Sequence, residues 1–321
     1  MSSTGKYWML QLCLREQDGL RDVRALLELP NDPLTRLKSA LGSARARRRV
    51  YRWTSVRLRA PILQPPTVRD FMVYEGHANA GGTRQLSDAW YRLPIFYFSN
   101  PLCIFGPEDA VPYPSASEQL DYELELAAVI GREANNVAEA DAFSYIAGFT
   151  IFNDWSCRDL QRDEMEARLG PAKGKDSASS LGPWIVTTDE LAPFIRDGRL
   201  HVRCTLKVNG VQWMENNGGI MYHTLGRDDR ARLTGQPTLF LATYWVVVRS
   251  PAGPIGEAIR NGFPARYLAT RRRRGDRGRR DRRPAQHHRA KGEPRPQLSF
   301  QSPARTRIVS RLCYAFLRFG A

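Results

Sequence analysis

Two glutamates, Glu123 and Glu125, stand two apart in the run Leu120-Asp121-Tyr122-Glu123-Leu124-Glu125-Leu126. On an extended strand, residues two apart project to the same side, so these carboxylates lie roughly 7 Å apart while Leu124 and Leu126 turn toward a core. Carboxylates at that separation can converge on one cation. Taken alone, the same spacing describes the polar face of an edge strand, which is the more ordinary arrangement. A third acid, Asp154, follows the apolar run Phe149-Thr150-Ile151-Phe152 and precedes Trp155-Ser156-Cys157-Arg158-Asp159-Leu160-Gln161, where a helix is expected to begin. An acid at that junction serves either as a helix cap or as a ligand at a strand end.

The elements that must position these groups are short. From Arg57 onward, apolar runs such as Pro61-Ile62-Leu63 and Phe96-Tyr97-Phe98 are punctuated by Pro and Gly, the pattern of a strand-rich fold. Leu120 to Ile130 alternates and then becomes wholly apolar, as a strand entering a core does. Val137 to Tyr145 has helical character. Asn209-Gly210 between Leu200–Val208 and Val211–Trp213 predicts a tight hairpin, because both turn residues tolerate positive φ. An amphipathic helix is expected around Leu20 to Leu29.

The blocks Leu120–Leu126 and Asn153–Gln161 resemble the two signature blocks of the fumarylacetoacetate hydrolase family. The resemblance implies an α+β, β-rich fold, a mixed β-sheet and β-roll with short helices. It also implies that Glu123, Glu125 and Asp154 bind a divalent metal. In that family an upstream Asp completes the metal shell and a catalytic His follows it by seven residues, as Asp70 and His77 do in Asp70-Phe71-Met72-Val73-Tyr74-Glu75-Gly76-His77. Gly170-Pro171-Ala172-Lys173-Gly174-Lys175-Asp176 resembles the family's lysine-bearing loop. That alignment makes Lys175 the catalytic lysine, with Arg158 and Gln161 on the substrate, although Lys173 competes for the assignment. Asn217 to Thr224 resembles the linker into a later helix, with His223 structural. Four oxygen ligands favour Mg²⁺ or Mn²⁺, with Ca²⁺ as an alternative, over zinc. The implied activity is cleavage of a carbon-carbon bond in a fumarylacetoacetate- or acylpyruvate-like β-dicarbonyl acid. Hydratase, decarboxylase or isomerase chemistry on a 2-oxo acid is the alternative on the same scaffold, and relatives of this kind imply a homodimer.

Composition bounds the rest. With 42% hydrophobic and 25% charged residues in 321, the chain has the make-up of a globular protein. No apolar run reaches the roughly 18 residues of a membrane span. The N-terminal stretch is expected to carry no secretion signal, because Arg15, Glu16 and Asp18 interrupt it. Five scattered cysteines (Cys13, Cys103, Cys157, Cys204, Cys313) have neither metal-site nor disulfide spacing and point to a reducing cytoplasm. The net charge of +15 is concentrated: residues 271 to 296 hold twelve Arg or Lys against three acids, so +9 sits in one stretch. That run lacks interleaved aromatics, so a solvated tail is the expectation, with nucleic-acid binding as its competitor.

The expected organisation is an adaptor over residues 1–57, a catalytic domain over 58–268 that is atypical in 227–255, and a basic tail over 269–321. The resemblance breaks after Leu225, resumes at Gly256–Pro264 and ends in Arg271-Arg272-Arg273-Arg274. An altered reading frame in a GC-rich gene would give this pattern and would leave a catalytically impaired relative; resequencing the locus is the check.

Overall fold

The computed structural model describes residues 22–27, 57–132, 134, 137–225 and, as backbone, 244–249. The expected adaptor, apart from 22–27, and the basic tail lie outside the described residues, as does the resumed block at Gly256–Pro264. The described strands are β1 (Thr67–Phe71), β2 (Phe96–Ser99), β3 (Ile104–Phe105), β4 (Leu120–Asp121), β5 (Leu124–Ile130), β6 (Ile146–Asp154), β7 (Ser156–Cys157), β8 (Ser179–Leu181), β9 (Val186–Thr187), β10 (Ile195–Arg196), β11 (Arg199–Leu200), β12 (Arg203–Val208), β13 (Val211–Asn217) and β14 (Tyr244–Arg249). Helices are short, the longest described being Arg158–Glu166. The fold is a strand-rich α+β arrangement, as expected.

One mixed sheet of eight strands organises the described residues, in the order β2-β1-β14-β5-β6-β8-β3 with β9 also paired to β6. β5 and β6 are antiparallel, with Leu124 opposite Asn153 and Glu125 opposite Phe152. Tyr244–Arg249, from the stretch that departs from the family pattern, forms the strand between β1 and β5. It supplies the backbone hydrogen bonds that two interior strands would otherwise leave unmade.

Every residue of β5 is buried, so the glutamates do not belong to a half-solvated edge. Alternation sorts the strand between two cores. Leu124, Leu126, Ala128 and Ile130 face the larger, with Phe71, Phe149 and Trp155, while Ala127 and Val129 face the smaller, with Ile62, Val68, Phe152 and Leu181. The helix Val23–Leu27 closes the smaller core. Leu26 is buried, Val23 and Leu27 pack on that core, and the Val23 amide donates to the Pro61 carbonyl at 3.0 Å. A helix is therefore present where one is expected, described over Val23–Leu27.

The strand expected over Leu120–Ile130 is broken at Tyr122-Glu123 into β4 and β5. The predicted hairpin forms from β12 and β13, with Asn209 at φ 53° and Gly210 at φ 83°, the left-handed pair that a two-residue turn requires. The helical stretch within Val137–Tyr145 resolves into Glu139–Ala142 followed by a 3₁₀ turn, Phe143–Tyr145.

Candidate metal centre at one end of the sheet

Three strands deliver carboxylates to the same place by the same rule. Asp70 lies two residues beyond Val68 in β1, Asp154 two beyond Phe152 in β6, and Glu125 two before Ala127 in β5, so each continues a face that packs in the smaller core. β6 runs antiparallel to β5. β1 does so too, being parallel to β14, which is itself antiparallel to β5. The C-terminal ends of β1 and β6 therefore meet the N-terminal end of β5. Glu123, just ahead of β5, joins them. Its amide donates to Asn153 Oδ1 at 3.0 Å, and its carbonyl accepts from the Asp154 amide at 3.1 Å. One oxygen from each of Asp70, Glu123, Glu125 and Asp154 lies within 4.8 Å of the others, and all four residues are buried.

Cationic and hydroxyl donors thread this group. Lys175, 1% exposed, donates through Nζ to Asp154 Oδ2 at 2.6 Å and also to Glu123 Oε2. Tyr97, opposite Asp70 in the register of β1 and β2, places its hydroxyl within hydrogen-bond reach of both Asp70 Oδ2 and Asp154 Oδ2, which share its one proton. Arg158 donates from Nη2 to Glu123 Oε1 at 2.7 Å, from Nε to Asp121 Oδ2 at 2.6 Å and from Nη1 to Gln161 Oε1 at 2.8 Å. Burial alone would favour the neutral guanidine, but the Glu123 and Asp121 carboxylates beside it raise the Arg158 pKa above its ordinary value. Arg158 is therefore a fixed cation bridging two acids.

The carboxylate-only donor set suits a hard divalent ion such as Mg²⁺, Mn²⁺ or Ca²⁺. Burying four carboxylates this close together is unfavourable unless positive charge offsets it. The residues therefore fit a divalent metal.

The lysine loop places Lys173 and Lys175 differently. Both belong to the 3₁₀ turn Lys173–Lys175, but Lys173 is exposed whereas Lys175 is buried among the acids. Glu164, from the helix Arg158–Glu166, accepts from the amides of Ala172, Lys173 and Gly174 at 3.0, 2.5 and 3.1 Å and so fastens this loop. Burial pushes the Glu164 carboxyl up, but those three amides and the nearby Lys173 charge outweigh it and hold it below the ordinary 4.5. A folded-state pKa below the unfolded one stabilises the fold above the unfolded value, and that contribution is lost as pH falls through the folded one. Thermal denaturation of wild type and Glu164→Gln should accordingly show wild type more stable at neutral pH, with the gap closing below about pH 4.5.

His77 sits half-buried in the one-turn helix Glu75–Ala78, which leaves the same end of β1 that carries Asp70. The helix is held from outside. Glu75 Oε1 accepts the Tyr91 hydroxyl at 2.7 Å, which raises the Tyr91 pKa. The Tyr222 amide donates to the Val73 carbonyl at 2.8 Å, and the Tyr74 hydroxyl to the Gly218 carbonyl at 2.7 Å. His223, buried against Trp90 and Tyr222, donates Nε2–H to the Trp90 carbonyl at 2.8 Å. Cys157 is a buried thiol whose pKa burial raises.

The amino-acid pattern left Asp121 and Tyr97 unassigned. Asp121 was within reach, since the alternation that aligns Glu123 with Glu125 extends two residues back to it. Tyr97 carried no local signal, because only the pairing of β1 with β2 brings it to Asp70.

Residues 67–227 match the family model described as fumarylacetoacetate hydrolase, C-terminal. The chain belongs to this family. It is 31% identical over 212 residues to a fumarylacetoacetate hydrolase domain-containing protein 2 homolog of Dictyostelium discoideum, covering 64% of this chain and 67% of that protein. It is also 31% identical over 189 residues to a Xenopus laevis protein named oxaloacetate tautomerase, covering 59% of this chain but only 55% of the relative. Among solved structures, the fumarylacetoacetate hydrolase of the psychrophile Exiguobacterium antarcticum superposes with a TM-score of 0.52 at 26% identity, covering 67% of this chain and 72% of that one. The match spans β1 to β13 and both blocks, Leu120–Leu126 and Asn153–Gln161, and the family is one of enzymes acting on small molecules. Its members named here include both a hydrolase and a tautomerase.

Proposed function

We propose that this family member is a divalent-metal-dependent hydrolase that cleaves a carbon-carbon bond in a fumarylacetoacetate- or acylpyruvate-like β-dicarbonyl acid. The observation that carries this reading is the convergence of Asp70, Glu123, Glu125 and Asp154 within 4.8 Å, buried and laced by Lys175. Mg²⁺ or Mn²⁺ held by these four residues would polarise the two oxygens of such a substrate and stabilise the enolate released when the bond breaks. His77, at the mouth of β1, takes a proton from water, whose oxygen then adds to the carbonyl carbon to be cleaved. The bonding pair leaves with the enolate, which a proton quenches. Lys175 sets a positive charge beside the developing negative one, and Arg158 with Gln161 orients the substrate carboxylate from the start of the helix Arg158–Glu166. Asp121 holds Arg158 in place. A homodimer in the cytoplasm fits this reading, and the thiols of Cys103 and Cys157 are compatible with a reducing compartment.

The relative named oxaloacetate tautomerase favours a second reading, in which a base removes a proton from the carbon next to the 2-oxo group of the intact substrate, the resulting enolate is reprotonated on oxygen or the reverse, and no carbon-carbon bond breaks and no water is consumed. Assaying purified protein with acylpyruvates and with oxaloacetate, in Mg²⁺, Mn²⁺ or EDTA, separates the two. Metal-dependent release of two acids supports hydrolysis. Metal-dependent keto-enol interconversion without cleavage replaces it with tautomerisation, and turnover that is indifferent to EDTA removes the metal from both.

A further inference from the structure

Lys175 has a feature that a lysine waiting only for substrate would not need. Its side chain is 1% exposed, and the partners of its ammonium, Glu123 Oε2 and Asp154 Oδ2, belong to two of the four candidate metal ligands. Burying an ammonium is costly unless it is closely paired. Here it stands between two carboxylates, the position that a cation shared by those carboxylates would take. We infer that Lys175 is a built-in counter-cation that keeps the carboxylate cluster assembled without metal and competes with the metal for Glu123 and Asp154, so that its charge sets metal affinity. This deepens the proposed metal site and rests on that reading.

The surroundings confine any response to the side chain. A Cβ at Gly174 would lie 2.9 Å from the backbone nitrogen and Cα of Gln161, so the turn carrying Lys175 is seated directly on the helix Arg158–Glu166. Glu164 fixes the amides of the three preceding residues, and the Lys175 amide donates to the Ala172 carbonyl at 2.9 Å. With its backbone pinned, Lys175 yields ground to a metal only by swinging its flexible methylene stem. The other donors exert a weaker opposing effect. Tyr97 is uncharged, and Arg158 spends part of its charge on Asp121. The charge on Lys175 is thus the one placed to oppose a second cation most directly.

A unit charge within about 4–6 Å shifts the equilibrium of a neighbouring charged group by about one to three powers of ten. Titrating Mn²⁺ into metal-stripped full-length protein, by calorimetry or by the spin-resonance signal of free Mn²⁺, should therefore show Lys175→Met binding at least about tenfold more tightly than wild type. Metal-stripped Lys175→Met should also melt at a lower temperature than stripped wild type and gain more from Mn²⁺. Equal or weaker binding by the variant overturns the inference while leaving the metal site standing if wild type binds. If neither protein binds, the metal site falls with it, whereas binding by the variant alone supports the competition. Should Lys175→Met not fold, Lys175→Gln substitutes for it, and a crystal structure of Mn²⁺-loaded wild type decides independently. Nζ detached from at least one of the two carboxylates supports the inference, and Nζ still bonded to both overturns it.

Discussion

Glu123→Gln should lower metal-dependent turnover by about a thousandfold or more, the equivalent of the several kcal/mol that a well-placed metal contributes to a charged transition state. Glutamine keeps the shape and one acceptor oxygen but removes the charge to which Arg158 and Lys175 both donate. The amide is a poor ligand for a hard cation, and the buried Lys175 and half-buried Arg158 are left facing each other with one fewer acid between them. Alanine would be a blunter test, because it also removes the side chain's bulk and its remaining acceptor oxygen from a buried site and would confuse loss of chemistry with loss of structure. The measurement is kcat for wild type and variant after EDTA treatment and readdition of Mn²⁺. Wild type should recover, and Glu123→Gln should not recover at any attainable Mn²⁺ concentration. Full recovery by the variant would remove Glu123 from the metal shell.

His77→Gln should lower kcat by about 10²–10⁴, the usual contribution of a positioned general base, while leaving Mn²⁺ affinity within about threefold of wild type. The separation follows from position. His77 belongs to the helix Glu75–Ala78 beyond β1, whereas the four carboxylates belong to the sheet end itself. The tethers of that helix, Glu75 to Tyr91 and Val73 to Tyr222, do not involve the imidazole. If His77→Gln loses metal as well as rate, His77 is part of the metal shell and a different base must be sought. If it loses neither, the water-activating role assigned to it is wrong, and the tautomerase reading gains ground.

Local chemistry settles much of this protein. The seven-residue step from Asp70 to His77 gains its meaning only through the resemblance to the family, but the period-two spacing of Glu123 and Glu125, the acid at the end of the run Phe149–Phe152 and the Asn209-Gly210 turn are properties of short segments. Each could be read from its own neighbours because strand alternation and turn geometry depend on a few adjacent residues. The choice between a solvated acidic face and a buried metal centre could not be made that way. Glu-x-Glu has the same pattern on an edge strand and in the middle of a sheet, and only the flanking strands β6 and β14 show that β5 is interior. The assembly of Asp70, Glu123, Glu125 and Asp154 spans more than eighty residues of chain, and it arises because β1 and β6 run opposite to β5 and end where β5 begins. The same pairing recruits Tyr97, and the 3₁₀ turn seated against Gln161 buries Lys175 while leaving Lys173 in solvent. Long-range backbone pairing decides which charged groups leave water together, and burial in turn decides which of them can bind a metal.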